Sequence, residues 1–89
     1  MNCKINVVIQ DHKKRKLQDS GGFLPCYNAS KGSRTLDRDL CEFCKKLLGI
    51  NVTSYRMLSW SKLNHDRVEF TYEVCNYSGT PVSKIYEFK

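Results

Sequence analysis

Apolar and polar residues alternate over the first ten positions. Cys3, Ile5, Val7 and Ile9 fall on one face, and Lys4, Asn6, Val8 and Gln10 fall on the other. That period of two predicts a half-buried first strand, stopped by Asp11-His12-Lys13-Lys14-Arg15-Lys16. No period follows until about residue 35. Gly21-Gly22, Pro25 and Gly32 punctuate this stretch, with Ser and Asn throughout. It reads as a long connection over 11–35, and loops beyond about 12–15 residues are generally functional or disordered. Phe23, Leu24 and Tyr27 are expected to tack its middle onto the core, leaving basic ends in solvent.

The period then changes to that of a helix. Leu36, Leu40, Phe43, Cys44 and Leu47 form a single apolar stripe, which predicts a helix over 36–48. Asp37 and Asp39 lie in its first turn and Lys45 and Lys46 in its last, as the helix dipole favours. Arg38–Glu42 and Glu42–Lys46 are spaced as i,i+4 pairs, and Gly49 supplies the stop. Three strands follow. Residues 51–63 carry Tyr55, Met57, Leu58 and Trp60; Asn64-His65-Asp66 makes a turn; and 67–75 alternates Val68, Phe70, Tyr72 and Val74 against Glu69, Thr71 and Glu73. A second turn over 76–80 leads to Pro81, which is expected to open a last strand reaching Phe88.

The order β-α-β-β-β predicts an α+β fold. One helix packs on one face of a four-stranded, mainly antiparallel sheet, and a long basic loop follows the first strand. The 89 residues, 40% hydrophobic and 27% charged, are read as one globular domain over 1–89. A chain of this size buries roughly 60–65% of its unfolded surface, so its core is thin. No apolar run approaches the roughly 18 residues of a membrane span. The N-terminus is too polar for a signal peptide, so the expected setting is cytoplasmic, or nuclear in a eukaryotic host. Five cysteines are then expected as reduced thiols, and the Asn-x-Ser/Thr triplets at Asn28, Asn51 and Asn76 as coincidence.

Charge sharpens the picture. The net charge is +6, and residues 13–38 hold seven basic side chains against two acidic ones. Lys13, Lys14, Arg15 and Lys16 are consecutive, and Lys31, Arg34 and Arg38 can join them from the far side of the loop. Such a cluster neutralises phosphates and gives affinity without sequence readout. Glu69 and Glu73 on the third strand would repel phosphate, which confines binding to the loop and the nearby sheet edge. Phe23, Tyr27, Trp60 and Tyr77 are the aromatic residues placed to add stacking or to anchor a protein partner.

Other chemistry is sparser. Cys41 and Cys44, three apart on the helix, could share a metal with Cys26 and Cys75, but no second close pair exists and Cys44 fits the apolar stripe. His12 and His65 are the histidines available for acid–base work, as in small basic bacterial toxin ribonucleases. Those enzymes place a helical hairpin where this chain has its Gly/Pro-rich loop. No phosphate-binding glycine loop is present, and no cofactor is expected.

The leading expectation is therefore a non-enzymatic binding module that docks through residues 12–38 on nucleic acid or a nucleoprotein complex. The alternative is a protein-directed inhibitor or adaptor of the phage-encoded, host-modulating kind, blocking an acidic or nucleic-acid-binding groove of its target. A small basic ribonuclease stands third. Pairing of an exposed edge strand with a second copy would make a homodimer.

Overall fold

The computed structural model describes residues 2–29 and 36–89. The expected loop cations Lys31 and Arg34 lie outside the described residues. The elements are β1 (Asn2–Ile9), β2 (Leu17–Gln18), β3 (Cys26–Ala29), α1 (Leu36–Leu48), β4 (Asn51–Asn64), β5 (Arg67–Ser78) and β6 (Glu87–Phe88). Four strands form one sheet in the order β3-β1-β5-β4. β1 lies inside it, antiparallel to β3 and parallel to β5 from Asn2↔Arg67 to Ile9↔Val74. β4 and β5 make the antiparallel hairpin expected around the Asn64-His65-Asp66 turn, with register shifts along β4, and Asn64 Oδ1 accepts the Asp66 N–H in that turn. The α+β class, the four-stranded sheet and the single long helix are as expected.

The fourth strand is not the one expected. Residues 81–88 do not join the sheet; only β6 is extended, and it pairs with β2 in a separate two-stranded ribbon. The cause is local. Pro81 has no N–H to give a ladder, and Ser83 Oγ accepts the N–H groups of Ile85 and Tyr86, which turns the chain. The missing place is taken by β3, from inside the connection read as a loop.

That connection is organised by two aspartates. Asp11 Oδ1 accepts the N–H groups of Lys13 and Arg15, both at 2.9 Å. Asp19 Oδ1 does the same for Gly21 and Phe23, again at 2.9 Å. In each turn the Asp N–H donates to the carbonyl four residues on, and the Asp carbonyl accepts from the residue three on. That third residue is left-handed in both cases: Lys14 has φ 63° and Gly22 φ 83°. Two copies of one carboxylate-capped turn therefore reverse the chain after β1 and again after β2.

The core lies between α1 and one face of the sheet. Ile5, Val7 and Ile9 of β1 and Val74 of β5 meet Leu40, Cys44 and Leu48 of α1, all buried. Gly49 ends the helix with φ 73°, and its N–H donates to the Lys45 carbonyl at 2.9 Å. The Leu48 carbonyl is taken up by the Val82 N–H at 3.1 Å, so the segment that failed to become a strand helps to cap the helix. Gly79, with φ 95°, backs onto this junction; a Cβ there would stand 3.3 Å from the Gly49 carbonyl oxygen.

Two core groups are electrostatically marked. The Tyr27 ring stacks on Phe43 with centroids 4.6 Å apart. Its hydroxyl is buried with no hydrogen-bond partner among the described residues. Burial, and then the charge of Asp39, push that hydroxyl well above the ordinary tyrosine value. Burial, and then Cys41, push the Cys44 thiol up to about 12.

Three outcomes follow from this packing. Gly79→Ala is expected to lose about 1–2 kcal/mol from the left-handed φ and the close carbonyl. This would be read as a melting temperature several degrees lower, and an unchanged value would mean that the junction can be rebuilt. Tyr27→Phe removes an unpartnered hydroxyl and should leave stability level or slightly raised; a urea-unfolding loss above about 1 kcal/mol would contradict the assignment. Unfolding returns Cys44 from about 12 to its ordinary 9.0, so on raising the pH the unfolded chain gives up this proton first. The Cys44 contribution is intact below pH 9 and is lost progressively toward 12. Cys44→Ala should flatten that alkaline decline in the urea midpoint, and an unaltered slope would exclude the thiol as its source.

Candidate functional site

Residues opposite one another on paired strands share a face. Ile5 stands across from Tyr27 and Phe70, on the helix side. Lys4 stands across from Asn28 and Glu69, on the side away from the helix. A cavity of about 430 Å³ opens beside Lys4, lined by Lys4 of β1, Cys26, Tyr27 and Asn28 of β3, and Arg67 and Val68 of β5, with Leu63 of β4 beside them. It holds two cations and no carboxylate. Glu69, next to Lys4 in register, is engaged instead by the Asn6 side-chain amide. Neither Lys4 nor Arg67 forms an ion pair among the described residues; those found are Arg15–Asp11, Arg38–Glu42 and Arg56–Glu73.

The basic run expected to form the binding surface lies beyond the other end of β1. Lys13, Lys14, Arg15 and Lys16 are exposed around the first Asp turn, but Arg15 Nε is 2.8 Å from Asp11 Oδ2. The Asp11 carboxyl titrates below its ordinary value. Desolvation pushes it up, and is outweighed together by the Arg15 hydrogen bonds, the Lys13 N–H and the Arg15 charge. Arg38 is exposed on α1 with its Nε 3.6 Å from Glu42 Oε1. Among the described cations of that set, Arg15 and Arg38 therefore each face a carboxylate.

The expected aromatic residues are also dispersed. Phe23 is 71% exposed at the second Asp turn rather than tacked to the core. Tyr27 is in the core contact with Phe43. Tyr77 is half-buried and its hydroxyl donates to the Gln10 carbonyl at 3.5 Å. Burial, and then Asp11, raise its titration point. Trp60 is 62% exposed on β4, opposite Phe70. Met57, Leu58 and Leu63 on the same strand are about half-exposed.

His12 and His65 are exposed in separate turns. Cys26 and Cys75 are exposed on β3 and β5, Cys41 is half-buried and Cys44 buried on α1. Among the described residues no group of three or more His, Cys, Asp and Glu is placed to hold a metal ion. No helix among them is long and apolar enough to cross a membrane. Lys4 and Asn28 are single polar positions between less polar neighbours, and Arg67 ends the polar run Asn64-His65-Asp66-Arg67, so the sequence does not single them out. Only the pairing of β1 with both β3 and β5 gathers them.

No protein-family profile matches the chain, and no curated protein sequence matches it significantly. Solved structures do match. A MutT from work on Aliivibrio salmonicida and Vibrio cholerae superposes with a TM-score of 0.84 at 11% identity, covering 99% of this chain and 76% of that one. A MutT Nudix hydrolase from Burkholderia pseudomallei gives 0.68 at 17% identity, over 97% and 78%. The mutator MutT protein of Bacillus halodurans gives 0.72 at 14% identity, over 100% and 68%. These matches overturn the expectation of a non-enzymatic module docking on nucleic acid, together with its host-modulating inhibitor and ribonuclease alternatives. That expectation rests on charge distribution, which bears on association and not on fold. At these identities the likeness is one of architecture: the chain has the fold of the MutT/Nudix hydrolases.

Proposed function

We propose that the chain is a hydrolase of the MutT/Nudix kind, with its small substrate seated in the cavity lined by Lys4, Asn28 and Arg67. The observation that carries this reading is the fold, shared along 97–100% of the chain with proteins named as MutT or Nudix hydrolases. The cavity adds a place of suitable size, since small-molecule sites commonly enclose about 300–1,000 Å³.

What the residues supply is binding and charge stabilisation. Lys4 and Arg67 stand where they can meet negative charge on the substrate and the further charge that develops as a bond to oxygen breaks. Asn28 offers an amide donor and an acceptor to orient it. Metal-assisted hydrolysis recruits carboxylates around a divalent ion. The exposed side of α1 instead carries Arg38, Glu42, Lys45 and Lys46, one acid among three bases. The described residues do not fit a resident metal centre. The proposed setting is the cytoplasm, a reducing compartment in keeping with five free thiols.

The test is turnover. The purified chain would be incubated with phosphate monoesters, phosphodiesters, phosphoanhydrides and carboxylic esters, with magnesium or with a chelator, and products followed by mass spectrometry. Hydrolysis of at least one class is expected, with kcat/KM reduced about 10–100-fold in Lys4→Ala and in Arg67→Ala, the effect of losing one charged hydrogen bond. Absence of product across all classes in both conditions would overturn the reading. Turnover untouched by either substitution would move the substrate out of this cavity.

A further inference from the structure

We propose that the outer edge of β4 docks a second copy of this chain, which adds its own β4 antiparallel and joins the two four-stranded sheets into one. The inference stands apart from the hydrolase reading, because assembly is measured without substrate.

Apolar exposure in the main sheet is concentrated at this edge. β4 ends the order β3-β1-β5-β4, and no other described strand pairs with its outer side. Of the seven large hydrophobic side chains exposed among the described residues, Met57, Leu58, Trp60 and Leu63 lie on this one strand. Trp60 stands across from Phe70 and Met57 across from Tyr72, on the face shared with Ile5 and Val7. The helix buries Ile5 and Val7 but leaves this end of the face open. Phe70 and Tyr72 are half-buried, and their rings, 6.5 Å apart, continue to Tyr55, 6.0 Å from Tyr72.

The way the edge is built selects the occupant. Edge strands are ordinarily guarded by charge, proline or bulges. β4 has no proline, and of its two charged side chains Arg56 is held by Glu73 at 2.9 Å, which leaves Lys62. Its register slips at Leu58 and again at Leu63, so Ser59-Trp60-Ser61-Lys62 is a regular stretch between two bulges. That stretch is complementary to itself. Antiparallel pairing about a two-fold axis through Trp60 sets this indole against the partner's Trp60, and Ser59 against the partner's Ser61. Lys62 then lies four residues along the sheet from the partner's Lys62, about 13 Å and beyond the screening length of about 8 Å at physiological salt. A charged partner, by contrast, would find one free cation on the whole strand. Leu63 also lines the cavity beside Lys4, so the interface adjoins the candidate site.

Trp60 is the chain's one tryptophan, which makes it a reporter of its own contact. The intact chain would be taken from about 1 µM to about 1 mM, the range in which a small interface dissociates, and followed by light scattering and tryptophan emission. The mass is expected to rise from one chain to two, with emission moving to shorter wavelength over the same range. A tryptophan exciton couplet should appear with it in the circular dichroism, since no single chain holds a second indole. Trp60→Lys sets two like charges on the axis and should raise the dissociation constant about 30-fold or more. Leu58→Lys, which sets a cation against the partner's Lys62, gives the same reading if Trp60→Lys melts early. Phe23→Lys, similarly exposed but at the second Asp turn, should leave the constant unchanged. More salt should leave the wild-type constant level or tighten it, because two copies of net charge +6 repel. A chain that stays single throughout would overturn the proposal and leave the edge to a strand of another protein. A dimer indifferent to both β4 substitutions would overturn it by placing the contact elsewhere. One weakened by salt would do so by making the contact electrostatic.

Discussion

The parallel pairing of β1 with β5 is the constraint on which the other elements depend. A parallel pair cannot be closed by a tight turn and needs a long crossover. Here nearly the whole chain between residues 9 and 67 serves as that crossover, and α1 lies within it. Parallel strands are also characteristically buried on both faces. β1 meets that demand with Ile5, Val7 and Ile9 against the helix and Val8, only 4% exposed, on the other side. Removing this pairing would separate β3 and β1 from the β4–β5 hairpin. It would also part Lys4 from Arg67, which are far apart in the sequence and share a cavity only through that register.

Elements defined by their own periodicity were legible in the sequence. The helix showed its stripe, its charged ends and its Gly49 stop. The hairpin showed alternation on its second arm and an Asn-His-Asp turn between the two. What escaped was set by contacts between segments. β3 is four residues long, and Cys26-Tyr27-Asn28-Ala29 shows too little alternation to announce a strand; it is extended because β1 offers it an edge. The paired Asp turns carried a signal in retrospect, an aspartate followed three residues later by the left-handed position. In one copy that position is Lys14 and not a glycine, which hid the repeat.

The candidate site was less legible than the fold. Consecutive basic residues are conspicuous in a sequence, but adjacency in the chain placed Lys13 to Lys16 around a turn already organised by Asp11. Arg15 and Arg38 each found a carboxylate four residues away. The cations that share a cavity come singly, Lys4 from an alternating strand and Arg67 from the start of another. Each reads locally as an ordinary solvent-facing position. Net charge described how the molecule might meet other molecules from a distance; strand register decided which charges stand together.

The position of β5 near the end of the chain bears on how the molecule is made. During synthesis the two Asp turns can close and β3 can dock on β1 as soon as residue 29 has emerged, since these are local contacts. The other edge of β1, with its row of apolar side chains, has no partner until residues 67–78 follow. Long-range pairing is intrinsically slow, and an unpaired apolar strand is the kind of surface on which nascent chains aggregate. The window of exposure is set by the ribosome's pace over roughly forty residues, a few seconds at 5–20 residues per second. The register that builds the fold therefore also leaves one edge of its first strand open until β5 is made.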